Sequence, residues 1–73
     1  MASSQIRVLR DGDRPVRGAR VVLSFFGGQT EAVHTDSDGV AQIDHDSTGE
    51  AKIFVDGREC GSLRTPGSRT VHQ

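Results

Sequence analysis

Cysteine and large aromatic residues are scarce in this sequence, and their scarcity excludes several classes of protein. Cys60 is the only cysteine, which excludes an intrachain disulfide and a cysteine-rich zinc site. Small secreted domains usually carry disulfides, so we expect a reducing compartment or a module of a larger protein. Tryptophan, tyrosine and asparagine are absent. Large apolar anchors are therefore limited to Phe25, Phe26 and Phe54.

Long apolar runs and a strong net charge are also missing. No apolar stretch approaches the roughly 20 residues that a membrane span needs, so no membrane partner is predicted. No apolar leader follows Met1, so no signal peptide is predicted and a cytoplasmic location is the default expectation. The net charge is −1, and the arginines of residues 7–20 have no aromatic residues between them, so nucleic-acid binding is not predicted.

Charge is nevertheless segregated along the chain. Residues 1–20 hold five arginines and two aspartates, a net of +3, whereas residues 31–59 hold eight acids against Lys52 and Arg58, a net of −6. This pattern has two interpretations, a solvated polar surface or head-to-tail association between copies.

Alternating apolar residues predict one all-β domain of 73 residues. The predicted strands are residues 5–10, 19–26, 29–35, 40–44, 50–56 and 59–64, and residues 69–73 form a last edge strand or fray. Residues 1–4 are expected to fray, and residues 44–49 to form a polar loop. The predicted inward-facing residues are Ile6, Val8, Ala19, Val21, Leu23, Phe25, Val33, Ala41, Ile43, Ala51, Ile53, Val55 and Leu63. Glycines at Gly27-Gly28, Gly39 and Asp56-Gly57 indicate tight turns.

Two glycine-punctuated stretches carry a family resemblance. Asp11–Leu23 contains Asp-Gly, then Pro-Val, then Gly-Ala before an alternating strand, and Thr35–Ile43 begins Thr-Asp-Ser-Asp-Gly. Together with Ile53, Val55 and Gly57 they resemble the transthyretin-like (prealbumin-like) and carboxypeptidase regulatory-like domains over residues 5–57. The resemblance implies a small antiparallel Greek-key β-sandwich of about seven short strands over residues 1–73. It also implies an accessory, non-catalytic role. Because this chain is shorter than most of these modules, the resemblance implies that one strand is missing or supplied by a partner, and the unpaired edge would then accept an added strand.

Acidic and histidine residues offer one candidate for metal chemistry. Asp-x-Asp-Gly at Asp36–Gly39 begins like an EF-hand loop, but Val40 stands where the loop needs a third Asp or Asn, and Ser47 stands where it needs a Glu. The tract His34, Asp36, Asp38, Asp44, His45 and Asp46 therefore predicts no defined metal site or cofactor. A ligand- or calcium-binding accessory domain that uses the Asp36–Asp46 loops remains the alternative function.

Catalytic constellations are not predicted. The transthyretin-like 5-hydroxyisourate hydrolases use an N-terminal histidine and a C-terminal tyrosine, neither of which occurs here. An isopeptide bond is not expected, because asparagine is absent and alternation points Lys52 away from the core. Cys60 has no identifiable activating neighbour, so we expect a small, half-buried side chain rather than a reactive thiol.

Outward apolar residues are the remaining functional signal. Strand alternation places Val22, Phe26 and Phe54 on the solvent side of the predicted sheet, where polar residues are usual. They either cap the sandwich or form a protein interface. The sequence therefore predicts no enzyme, but a protein-interaction or structural accessory module that binds a protein partner or self-associates through these residues.

Overall fold

Strands and turns account for all regular structure in residues 2–73, the part of the chain that the computed structural model describes. None of these residues forms a helix of the length and apolarity that membrane crossing requires. The strands in chain order are β1 (Ala2–Arg10), β2 (Arg14–Pro15), β3 (Arg20–Phe25), β4 (Gly28–Gln29), β5 (Val33–His34), β6 (Val40–His45), β7 (Gly49–Val55), β8 (Arg58–Thr65) and β9 (Ser68–His72).

These strands form two sheets. In the first sheet, β6 and the short β2 both pair with one edge of β1: β6 covers most of that edge and β2 covers its end. β9 pairs with the other edge of β1. In the second, β4 and β5 share one edge of β3, and β7 and then β8 follow on the other. The chain changes sheet after β2, β5, β6 and β8. This confirms the predicted all-β, small Greek-key sandwich; the pairing of β9 with β1 is parallel, unlike the others.

The core lies between the sheets and follows the two-residue period of the strands. The predicted inward residues of β1, β3, β6, β7 and β8 are buried there, and Phe25 and Val33 pack against it half-buried. Val71 is also buried, which explains why residues 68–72 form a strand instead of fraying. The core members are Ile6, Val8, Ala19, Val21, Leu23, Ala41, Ile43, Ala51, Ile53, Val55, Leu63 and Val71.

Two predicted irregular segments are wrong. Residues 2–4 do not fray, because β1 begins at Ala2 and pairs with β6 as far as His45; Met1 lies outside the described residues. The loop predicted over residues 44–49 is shorter, because β6 continues through His45 and β7 begins at Gly49. Buried polar side chains, described below, hold this extra pairing in place.

The return strand predicted over residues 29–35 is interrupted. Phe26-Gly27 form the turn, one residue earlier than predicted, so Phe26 lies in the turn and not in a strand. Beyond β4, the Thr30 hydroxyl accepts the Leu23 N–H at 3.0 Å while the Thr30 N–H donates to the Leu23 carbonyl. The Thr30 hydroxyl thus takes the place of a backbone carbonyl as the acceptor for Leu23. Residues 30–32 then leave the edge of β3, and pairing with β3 resumes at β5.

The two glycine-punctuated stretches contact one another at one end of the sandwich. The buried Thr35 hydroxyl accepts the Ala19 N–H at 2.9 Å and donates to the Val16 carbonyl. Gly39 has φ +79°, and a Cβ there would lie 2.6 Å from the Val8 carbonyl oxygen. Asp36 closes the turn by accepting the N–H groups of residues 38 and 40. We call this the Thr35–Gly39 end.

Strand pairing mixes the charged segments that the sequence separates. The arginine-containing β1 pairs with the aspartate-containing β6. The Arg20 N–H donates to the Asp56 carboxylate at 3.0 Å, where β3 meets the end of β7. The basic and acidic segments therefore adjoin in the fold, and head-to-tail association between copies stays a prediction.

Candidate binding groove

A groove of about 610 Å³ lies on one side of the sandwich, between the outer edge of β6 and the interrupted edge formed by β4 and β5. It exists because residues 30–32 leave the second sheet while β6 has no strand on its outer side in the described chain. Its lining residues are Phe25, Gly27, Gly28, Gln29, Thr30, Glu31, Ala32, Val33, Gln42, Ile43, Asp44, His45, Asp46 and Ser47.

The outer edge of β6 presents unpaired backbone to this groove. Residues of an antiparallel strand alternate between facing the partner and facing away. The Val8 N–H donates to the Gly39 carbonyl, and this register makes Ala41 and Ile43 the residues bonded to β1. The backbone groups of Gln42 and Asp44 consequently point toward the groove. The neighbouring Val40 does not contribute, because the Asp36 turn already satisfies its N–H and carbonyl.

The groove combines an apolar floor with an acidic rim. Phe25, Val33 and the buried Ile43 supply apolar surface from both sheets. The charged lining residues are Glu31, Asp44 and Asp46, all exposed. No lysine or arginine belongs to the lining, and within residues 2–73 none lies within 4.0 Å of these carboxylates. The rim is therefore a local negative charge without an internal partner.

A buried polar chain closes the floor beneath this rim. His45 is 6% exposed, and its Nδ1 lies 2.6 Å from the Ser47 carbonyl oxygen. Because a carbonyl only accepts, Nδ1 carries a proton, and in the neutral ring Nε2 accepts from the Ser4 hydroxyl at 2.8 Å. Ser4 in turn accepts the Gly67 N–H at 3.3 Å. The ring also packs against Phe25, with centroids 5.3 Å apart.

This serine–histidine pair lacks the surroundings of a catalytic dyad. Ser4 is only 3% exposed, and its hydroxyl is occupied on both sides by His45 and Gly67. A nucleophile needs access to substrate and donors aimed at the developing oxyanion. The pair instead joins β1, β6 and the β8–β9 turn, which is a structural role.

The three residues predicted as an interface do not form one patch. Val22 and Phe54 face each other across β3 and β7, but Val22 is 6% exposed and Phe54 is half-buried. Phe26 is fully exposed at the β3–β4 turn. The extended strand from Val22 to Phe25 alone separates the two positions by about 10 Å. Its chain neighbours Phe25 and Gly27 line the groove, so the turn that carries Phe26 borders the groove, although the Phe26 side chain is not part of the lining.

The predicted acidic and histidine tract is not a cluster either. Asp36 and Asp38 lie in the turn before β6 and Asp44 and Asp46 near its end, and the extended chain from Val40 to Asp44 alone spans about 13 Å. His34 is exposed on β5, whereas His45 points into the sandwich. Residues 2–73 contain no group of three or more histidine, cysteine or acidic side chains arranged to hold a metal ion. The geometry gives the calcium-binding alternative no support.

Cys60 and Lys52 lie as the sequence predicts. Cys60 is half-buried, 3.6 Å from the Arg58 carbonyl oxygen, at the β-bulge where Phe54 pairs with Glu59. Lys52 is exposed on the outer face of β7.

The groove itself is absent from the sequence-based predictions. One available signal was the alternation of Val40–His45, which continues through His45 and extends β6 past the predicted boundary. The departure of residues 30–32 had no comparable signal, because Gln29–Thr35 reads as a continuous strand.

Comparison with known proteins supports the fold and leaves the groove unassigned. No protein-family model matches the chain, and no curated protein sequence matches it. Among solved structures, the chain is similar to the Bacillus anthracis TIE protein, with a TM-score of 0.67 and 16% sequence identity. The similarity covers 99% of this chain and 16% of that chain. At this identity the likeness shows the fold alone.

Proposed function

We propose that this domain is a non-catalytic protein-interaction module whose binding surface is the groove together with Phe26. The observation that carries the proposal is the fully exposed Phe26 ring beside an open groove with an apolar floor. Exposed aromatic side chains near a concave surface are the usual anchors of protein interfaces. Val22 and Phe54 are assigned a packing role on the outer face of the second sheet.

The family assignment belongs to the same proposal. We infer a transthyretin-like or carboxypeptidase regulatory-like domain from the Asp11–Leu23 and Thr35–Ile43 stretches, and an accessory role is typical of such modules. The contacts of Thr35 and Gly39 give these motif residues structural tasks, which agrees with motifs that specify a fold and not a reaction.

Site-specific photocrosslinking tests the proposed surface. A benzophenone amino acid replaces Phe26, which is exposed and whose replacement leaves the core intact. The matched control carries the same group at Arg58, which is exposed in the Asp56-Gly57 hairpin, away from the groove. Illumination in the lysate of the native host is expected to give one discrete adduct from position 26 and none from position 58.

Two further observations complete the test. Sedimentation of the purified protein over a range of concentrations shows whether the adduct partner is a second copy. The same faint mixture of adducts from both positions would contradict the assignment of Phe26 to an interface. So would a discrete adduct obtained from position 58 alone.

A further inference from the structure

We propose that the groove binds an extended segment of another protein, with alternating apolar and basic residues, as an added strand along the outer edge of β6. This inference rests on the proposed interaction role and names the class of partner. The observation that carries it is the pair of outward-facing backbone positions, Gln42 and Asp44, beside the groove. Strand addition satisfies such an edge with main-chain hydrogen bonds.

β6 is the least protected of the sheet edges. Natural edges are usually blocked by bulges, proline, positive charge or very short strands. β8 carries the bulge at Cys60 and the charges of Arg58 and Arg64. β9 follows Pro66 and contains Arg69, while β4 and β5 contain two residues each. β6 extends over six residues without proline, bulge or cation.

The charge of the groove selects the partner. Asp44 lies on the outer face of β6, and Glu31 and Asp46 flank the groove with no basic lining residue. Pairing β6 with β6 of a second copy would bring two sets of these carboxylates together, which is unfavourable. A segment with arginine or lysine opposite Asp44 would gain attraction instead. The acidic residues thus oppose self-pairing and favour a basic strand.

Strand geometry determines the rest of the recognised pattern. Side chains of an added strand alternate between the two faces of the sheet, as those of β6 do. Those on the inner face would fill the groove above Phe25 and Val33, so they should be apolar. Those on the outer face would lie beside Gln42 and Asp44, so they should be basic.

Two synthetic peptides test this pattern directly. One is acetyl-Val-Arg-Val-Arg-Val-amide, and the matched control replaces both arginines with glutamates. Nuclear magnetic resonance titration of the full chain is expected to show binding of the arginine peptide at least tenfold tighter than the glutamate peptide. Added salt should weaken it, since exposed charges are screened. A third, N-methylated arginine peptide keeps the side chains but loses backbone donors, and it should bind at least tenfold more weakly.

Amide hydrogen exchange identifies the edge. The arginine peptide should slow exchange at Gln42 and Asp44 about tenfold or more. The intervening Ile43 should change little, because its N–H already bonds to β1. Slowed exchange along β8 or β9, or equal binding of both charged peptides, would overturn the proposal. So would the absence of binding at millimolar peptide.

Two variants measure separately how charge and backbone hydrogen bonds contribute to the affinity for the peptide. Asp44→Lys should weaken the arginine peptide about tenfold, whereas Asp38→Lys, the same charge change on the exposed turn before β6, should leave its affinity within twofold. Gln42→Pro removes the outward N–H together with the amide side chain and fixes φ at this edge position, so unchanged thermal unfolding is its folding control. It should weaken binding of the peptide about tenfold or more. Equal affinities for Asp44→Lys and Asp38→Lys would overturn the electrostatic part.

The outcomes also distinguish this inference from the proposed function. A discrete Phe26 adduct with no peptide binding would retain the interaction role and reject the basic strand. Concentration-dependent dimers with protected Gln42 and Asp44 amides, in the absence of peptide, would show a second copy as occupant and overturn the choice of partner.

Discussion

The two ends of β6 differ in how their polar groups are used. At the Thr35–Gly39 end, side chains and glycine bring backbone segments into direct contact, and the Thr35 hydroxyl bonds in two directions. At the other end, His45 and Ser4 form a buried chain below an open groove, and Phe26 is fully exposed. The first end uses its polar groups to close the fold. The second leaves backbone and aromatic surface unpaired.

This difference leads us to expect that the two ends contribute unequally to the stability of one small domain. A chain of this size has a free energy of unfolding near the low end of the usual range, roughly 5 kcal/mol. The Thr35–Gly39 end should therefore tolerate few changes, whereas the groove end should tolerate many. Three substitutions test that ranking.

Gly39→Ala should have the largest effect on stability. Alanine at φ +79° is unfavourable by about 1 kcal/mol, and its Cβ would lie 2.6 Å from the Val8 carbonyl oxygen and 3.1 Å from Pro15 Cβ. Because the nearest atom belongs to the backbone, β1 or the turn must shift. We expect a loss of about 3 kcal/mol in the free energy of unfolding, measured by denaturant titration.

The matched control is Gly57→Ala. Gly57 has a similar φ, +84°, but no atom lies within 4 Å of the Cβ position. Its cost should be about 1 kcal/mol, from backbone strain alone. Equal losses at the two glycines would show that close contact at Gly39 is not what holds this end together.

The contrast between the ends also explains what the sequence reveals. Ala19, Val21 and Leu23 alternate in the sequence and are buried in the structure, because a two-residue period translates directly into the two faces of a sheet. Gly39 was predictable as a turn glycine, because left-handed backbone favours that residue type. Local sequence patterns therefore predict the turn at the Thr35–Gly39 end and most of the core.

The groove depends on relations that local patterns do not encode. The sequence does not predict that the Thr30 hydroxyl accepts a hydrogen bond from the Leu23 N–H. That hydrogen bond nevertheless accompanies the departure of residues 30–32 from the sheet. The alternation of Val40–His45 can place His45 in a strand, but it does not identify Ser4, 41 positions away, as the partner of the ring. The outward apolar residues were similarly divided by tertiary packing, which buries Val22 and leaves Phe26 in solvent.

Thr35→Val should have the second largest effect. Valine keeps the shape of the side chain but removes both bonds of the hydroxyl, which leaves the buried Ala19 N–H and the Val16 carbonyl without this partner. An unsatisfied buried group typically costs 1–3 kcal/mol, so we expect a loss of about 2 kcal/mol in unfolding free energy. Thr48→Val, at an exposed loop position, is the control and should change it by less than about 0.5 kcal/mol. An unchanged free energy of unfolding for Thr35→Val would contradict the idea that this hydroxyl stabilises the Thr35–Gly39 end.

His45→Leu should have the smallest effect of the three, about 1 kcal/mol. The ring bonds both Ser4 and Ser47, but Ser47 is exposed, so water can replace that contact. The added apolar surface of leucine offsets part of the loss. The remaining cost comes from the buried Ser4 hydroxyl, which keeps only its bond from Gly67.

A double-mutant cycle with Ser4→Ala isolates that cost. Once the hydroxyl is absent, His45→Leu no longer leaves an unpaired donor, so the double variant should be about 1 kcal/mol more stable than the sum of the single losses predicts. Denaturant titration of the four proteins measures this coupling. A coupling near zero would mean that packing of the ring against Phe25, 5.3 Å away, supports the groove floor instead of the Ser4 bond. A loss for His45→Leu that exceeds the loss for Thr35→Val would reverse the ranking of the two ends, and stability would then be concentrated beneath the groove.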